Sequence, residues 1–190
     1  MPNLFAILGQ PVSLTLNLAD VEAAWNERTR EERPDLPASA ESPAATDPAE
    51  LHRARAVLTD PVERLSHWLE CNEVPAKRDA TIAPDLMDLF AELSGALQET
   101  DGIIERHRKS TSAIARATLA RDAVAAQVRL QNCMQRVQQL KNPILESFEK
   151  LEADAASGSF EAALGALAQL RFLRKWEQQC QDRLLALLSF

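Results

Sequence analysis

The sequence contains no tyrosine and only five glycines, scattered over 190 residues. Five isolated glycines cannot form the Gly-rich loop that cradles a phosphate. Three cysteines, Cys71, Cys133 and Cys180, are too few and too far apart for a disulfide framework or a CxxC site. No apolar run exceeds five residues ("LFAIL", "LLALL"), far short of the length that crosses a bilayer. The first Lys or Arg is Arg28, so the positive n-region of a signal peptide is missing, and a cytoplasmic protein is expected. Positive charge is also scarce: 21 Lys and Arg face 28 Asp and Glu, a net charge of −7. A surface of that sign repels nucleic-acid phosphates and anionic lipid, so neither nucleic acid nor membrane is expected as a partner. The histidines, His52, His67 and His107, lack the Glu-x-x-His spacing of a di-iron bundle. His67 and Cys71 stand four residues apart on one helical face, but two ligands do not make a zinc site, and they read as a surface His beside a half-buried Cys. No Ser, His and acid are marked out as a triad. The expectation is a non-enzymatic protein with no metal and no cofactor.

What the chain has is helix. Apolar residues make up 46% and charged residues 26%, with Glu and Asp alternating with Arg as on solvated helix faces. Nine of the ten prolines precede residue 85. The first part, 1–79, therefore reads as short punctuated helices, and the second, 80–190, as a bundle of long ones.

After the apolar opening "NLFAILGQP", a helix is predicted from about Asn17 to Glu32, marked by Val21, Ala24, Trp25 and Arg28, with Trp25 its main anchor. Arg33-Pro34-Asp35 ends it, because the residue before a proline is pushed out of the α region. Residues 34–47 are Pro/Ala/Ser-rich and aperiodic, a flexible connection. Asp47-Pro48 and Asp60-Pro61 each read as an N-cap followed by proline at the first helical position. Leu51, Ala54 and Leu58 then point to a core, as do Val62, Leu65, Trp68 and Leu69.

Another such start lies at Pro84. On a helical wheel Leu86, Phe90, Leu93 and Leu97 form one stripe, with Met87 about a quarter turn away. A long helix is predicted from near Asp101 to Leu140, broken at "KNPI" and resumed to Ala156. The last helix follows "SGSFEAAL", with Leu170, Leu173, Cys180 and Leu184 on its stripe and Phe172 at the edge. Long amphipathic helices with short breaks imply an antiparallel bundle, and the fold class is all-α.

The order of these parts resembles the HscB family of J-domain co-chaperones, which act in iron–sulfur cluster assembly. "LFAILGQPVSLTLN" is similar to that family's opening, "RARAVLTDPVERLSHWL" to its Pro-turn and Arg segment, and "LMDLFAELSGALQE" to its first bundle helix. "LAQLRFLRKWEQQCQDRLLALLSF" resembles its closing helix. The resemblance implies a small J-like domain over 1–79 and a scaffold-binding bundle over 80–190.

In J domains the corner after the basic helix is His-Pro-Asp and contacts a heat-shock chaperone ATPase of the DnaK or HscA type. Here the corner is Arg33-Pro34-Asp35, with Arg28 and Arg30 on the preceding helix. From Asn17 to Arg33, five acids stand against three bases, so the attraction to an acidic chaperone surface is lost. Arginine donates only and stays charged, unlike a neutral imidazole. Weak or absent ATPase stimulation is expected. Carried over by position, the family's docking patch for an IscU-type scaffold falls on Leu86, Met87 and Phe172, with the carboxylates Glu92 and Glu99 nearby. The alignment needs one inserted residue near Phe90 and Ala91, and Gly95 and Ala96 replace acidic residues of the family. The wheel favours exposure of Met87 and Phe172 and places Leu86 in the core; Met87 and Phe172 also suit core packing. The helical stretch from Glu99 to Phe160 is longer than the family's. Two other readings stay open: an adaptor that binds the scaffold without the chaperone, and a helical interaction protein with another partner.

Overall fold

The computed structural model describes residues 2–31, 47–75 and 84–188. Its regular elements are eight helices: α1 (Leu4–Ile7), α2 (Leu18–Glu31), α3 (Pro48–Thr59), α4 (Pro61–Cys71), α5 (Pro84–Lys109), α6 (Ala113–Glu146), α7 (Phe148–Ala156) and α8 (Glu161–Leu187). No strand occurs among the described residues, and the protein is all-α. Among them, no helix is long and apolar enough to cross a membrane.

The Asp-Pro pairs act as read. Asp47 accepts from the Ala49 amide at 2.9 Å, and Asp60 accepts from Val62 and Glu63 at 2.8 and 2.9 Å. Each satisfies amides that a helix start leaves orphaned, while proline occupies the position whose amide is dispensable. Asn3 caps α1 in the same way, through Phe5 and Ala6. Gly9, at φ +63, then ends α1: Gln10 N–H bonds Phe5 O and Gly9 N–H bonds Ala6 O, the paired bonds of a Schellman turn.

The chain packs into two compact units, Met1–Asp79 with Leu145–Leu167, and Ala80–Ile144 with Ala168–Phe190. A single division at residue 80 assigns 145–167 to the bundle; by packing these residues group with the first unit. Phe148 and Leu151 are buried, the Phe160 ring lies 5.8 Å from Trp68, and Glu152 accepts from the Leu14 amide and the Thr15 hydroxyl.

In the first unit α1 is pinned by a histidine. His67 is 6% exposed, not a surface residue. Its ring stacks on Phe5 at 5.5 Å, and its Nε2 accepts from the Leu4 amide at 3.0 Å. The proton therefore sits on Nδ1, which faces Glu70 at 3.2 Å. Arg64, also buried, donates to Leu58 O at 2.7 Å and so ties the α3–α4 corner. Burial lowers its pKa, which nearby Asp60 and Glu152 counter. Trp25 is a half-buried edge residue, lying under the Arg55 guanidinium at 4.5 Å; the anchor of α2 is Val21, fully buried.

The second unit is an up-down-up bundle of α5, α6 and α8. Glu92 pairs with Arg136 and Glu99 with Arg129, so seven residues forward on α5 is seven back on α6. The two helices are antiparallel. Gln138 and Lys141 reach Glu177 of α8, and Asp101 meets Arg183. Apolar residues on α5 alternate at spacings of three and four (Leu86, Leu89, Leu93, Ala96), as in coiled coils.

The helix breaks differ from expectation. The stretch from 101 to 140 is not one helix: α5 ends at Lys109, and the Ser-Thr-Ser link, whose hydroxyls compete for backbone bonds, precedes α6. "KNPI" does not break the chain. Pro143 is exposed in the last turn of α6, where it removes one backbone bond, and the interruption falls at Ser147.

His67→Ala orphans the buried Leu4 amide and should cost about 1–3 kcal/mol, measured as a shift in chemical-denaturation midpoint. Glu70→Ala, which removes an exposed partner, should cost less than about 1 kcal/mol. Equal costs would contradict this account of α1.

Candidate protein-docking site

At the first unit's α2, Arg28 is half-buried, with Nη2 3.3 Å from where a Cβ on Gly9 would sit. It packs on the α1 turn, while Arg30 is exposed at the end of α2. Glu22 of the same helix is bound by Arg55 Nε at 2.8–2.9 Å. Arg33, Pro34 and Asp35 lie outside the described residues, as does the rest of the connection to residue 46.

On the bundle the five scaffold-patch positions separate. Leu86 is 2% exposed and belongs to the core, because it opens the three-four seam continued by Leu89, Leu93 and Ala96. It is unavailable for docking. Met87, one residue on, is 52% exposed. Phe172 is half-buried, its ring 6.3 Å from Trp176 and packed on the core edge. Glu92 and Glu99 are surface carboxylates, each engaged by an arginine of α6.

Phe90 belongs with this set, although the helical wheel puts it on the core stripe. It is 50% exposed, and its ring lies 6.0 Å from Trp176. The stripe through Leu86, Phe90, Leu93 and Leu97 is rotated by about 50°, half a residue's turn, from the true seam, since Leu89 is buried and Leu97 only half-buried. Both rows alternate at three and four, so spacing alone does not separate Leu89 from Phe90; the phase of the bundle does. Trp176, on the buried face of α8, is the common support for both phenylalanines. Exposed phenyl and thioether groups on a fixed aromatic base suit a desolvating protein contact.

On the other flank of α5, toward α6, Ala91, Gly95 and Ala96 of α5 and Asn132 and Cys133 of α6 line a groove of about 420 Å³. Its ends are the two Glu–Arg pairs. Glu92 and Glu99 thus lie on the α6-facing flank of α5, about half a turn from Phe90, each paired with an arginine.

The cysteines are thiols. Cys133 and Cys180 are buried in the bundle core. Burial, helped by the neighbouring Cys133, pushes the Cys180 thiol up to about 11, against the opposing Arg183. Burial raises Cys71 too, with Glu70 adding to it. Cys71 Sγ lies 3.6 Å from His67 Nε2, but that lone pair already accepts the Leu4 amide, which leaves none for a metal. Among the described residues no three His, Cys, Asp or Glu side chains come together as a metal site.

The sequence matches no protein-family model and no curated protein. Among solved structures, the chaperone HscB from Vibrio cholerae aligns over 96% of this chain and 99% of its own, with a TM-score of 0.58 at 18% identity. The chain has an HscB-like fold.

Folded protein should give a thiol reagent one readily labelled cysteine, Cys71, with Cys133 and Cys180 reacting only on unfolding. The neutral Cys180 thiol adds no pH dependence below the ordinary thiol pKa of ~8.5. Between there and about 11 the unfolded chain ionises first, so stability should fall as pH rises. Denaturation midpoints from pH 8 to 11 test this; a slope unchanged in Cys180→Ala would refute it.

Proposed function

We propose that this protein is an HscB-like co-chaperone whose bundle holds an IscU-type iron–sulfur scaffold, with weak or absent stimulation of a DnaK- or HscA-type chaperone. The observation that carries the scaffold reading is the surface formed by Met87 and Phe90 on α5 and Phe172 on α8, the two phenylalanines resting on Trp176. It lies on the helices that the family resemblance points to, in a chain with an HscB-like fold. The role is one of binding, without chemistry of its own, and the proposed compartment is the cytoplasm.

Because Glu92 and Glu99 are balanced by Arg136 and Arg129, apolar burial supplies the affinity and charge supplies little of it. The uncoupled adaptor is the second reading. It is favoured by Arg33 in place of histidine and by the acidic bias of α2, where Glu22 is also committed to Arg55.

Two assays test these readings. Calorimetric titration of an IscU-type scaffold should show binding that weakens about tenfold or more in Met87→Ala and Phe90→Ala, as for hot-spot truncations. Wild-type affinity in both variants would reject the patch. In a chaperone ATPase assay the wild type should stimulate poorly and Arg33→His should stimulate more. Strong stimulation by the wild type would reject the proposed loss.

A further inference from the structure

Helix α6 carries two apolar seams. Leu119, Ala123, Ala126, Leu130, Cys133 and Val137 alternate at spacings of four and three and are buried in the bundle. Ile114, Ala117, Arg121, Val124 and Val128 alternate at three and four along the other side, roughly half a turn of the wheel away. All five are exposed, Ile114 at 82%, Val124 at 60% and Val128 at 51%. Isolated apolar residues on a surface need no explanation, but a periodic row does. Isoleucine and valine are also poorer helix formers than the Lys, Glu or Ala that suit a solvated face, and among the described residues none of Ile114, Val124 and Val128 is buried to offset that.

The charge around the second seam is opposite to that of the whole. From Ala113 to Gln131 there are three arginines, Arg116, Arg121 and Arg129, and one acid, Asp122, in a chain of net charge −7. Arg129 is engaged by Glu99, and Arg116 donates from Nε to Ser110 O at 3.2 Å. Arg121, in the middle of the seam, makes no ion pair among the described residues. The seam is centred on residue 121, so an antiparallel second copy of α6 laid on it would set Arg121 beside its own counterpart, which like-charge repulsion opposes.

We propose that the exposed seam of α6 docks an acidic amphipathic helix of a partner protein, apolar at its own three-four positions and with a carboxylate opposite Arg121. The contact spans Ile114 to Val128, about 21 Å of helix at 1.5 Å per residue. So short a seam implies a reversible partner. The site lies on another helix from the Met87–Phe90–Phe172 patch and does not depend on the scaffold reading.

Two synthetic helical peptides of about three heptads, with Leu at a and d and either Glu or Lys at e and g, are the probes. Titrated with the full chain by fluorescence anisotropy, the Glu peptide should bind at least ~10-fold more tightly than the Lys peptide, although the protein as a whole is acidic. Val124→Asp with Val128→Asp should abolish binding, and Arg121→Glu should reverse the preference between peptides. Circular dichroism checks that these surface variants fold. The proposal is overturned if neither peptide binds, if both bind equally, or if the preference survives Arg121→Glu or the Val124→Asp, Val128→Asp pair. It is also overturned if sedimentation shows a dimer that Val124→Asp disperses, because a second copy then fills the seam.

Discussion

Three helices that each repeat apolar residues at spacings of three and four can close on one another along one shared seam only. In the second unit that constraint decides everything on the surface. Leu86, Leu89, Leu93 and Ala96 of α5 take the seam, as do Leu173, Trp176, Cys180 and Leu187 of α8 and the Ala123-to-Val137 row of α6. Whatever apolar group falls outside that phase is left facing water. Met87 and Phe90 are such groups, and so is the outer row of α6. The buried row of α6 mixes the small residues Ala123, Ala126 and Cys133 with Leu130 and Val137.

The same phase explains why charge at the rim is balanced. Residues two turns apart on α5, Glu92 and Glu99, meet residues two turns apart on α6, Arg136 and Arg129. Such exposed pairs contribute little stability individually, roughly 0–1 kcal/mol. Their effect is on the field the face presents. Gly95 between them lines the groove, and a Cβ there would meet nothing within 4 Å.

Much of this was legible in the sequence. The Asp-Pro helix starts are local chemistry, needing only the residues on either side, and the all-α class follows from periodicity that no strand could use. Met87 was separable from the core because one residue is about 100° of helix. What failed needed partners distant in sequence. Phe90 and Leu89 are neighbours with similar apolarity, and only the bundle's phase tells which faces inward. His67 reads as polar, and its burial depends on the Leu4 amide 63 residues away. The return of 145–167 to the first unit rests on Trp68 meeting Phe160 and on Glu152 holding Leu14, contacts that no local window contains. Pro143 reads as a stop, yet α6 runs on to Glu146 although the ring removes one backbone bond and crowds the carbonyl four residues back.

A surface left over by a core is not automatically a binding surface, and the account stands on that step. Amide chemical-shift mapping of the isotope-labelled protein on addition of an unlabelled IscU-type scaffold tests it most directly. The account predicts perturbations centred on residues 87 to 91 of α5 and 171 to 176 of α8. Perturbations absent there, with changes elsewhere on the molecule or none at all, would contradict it.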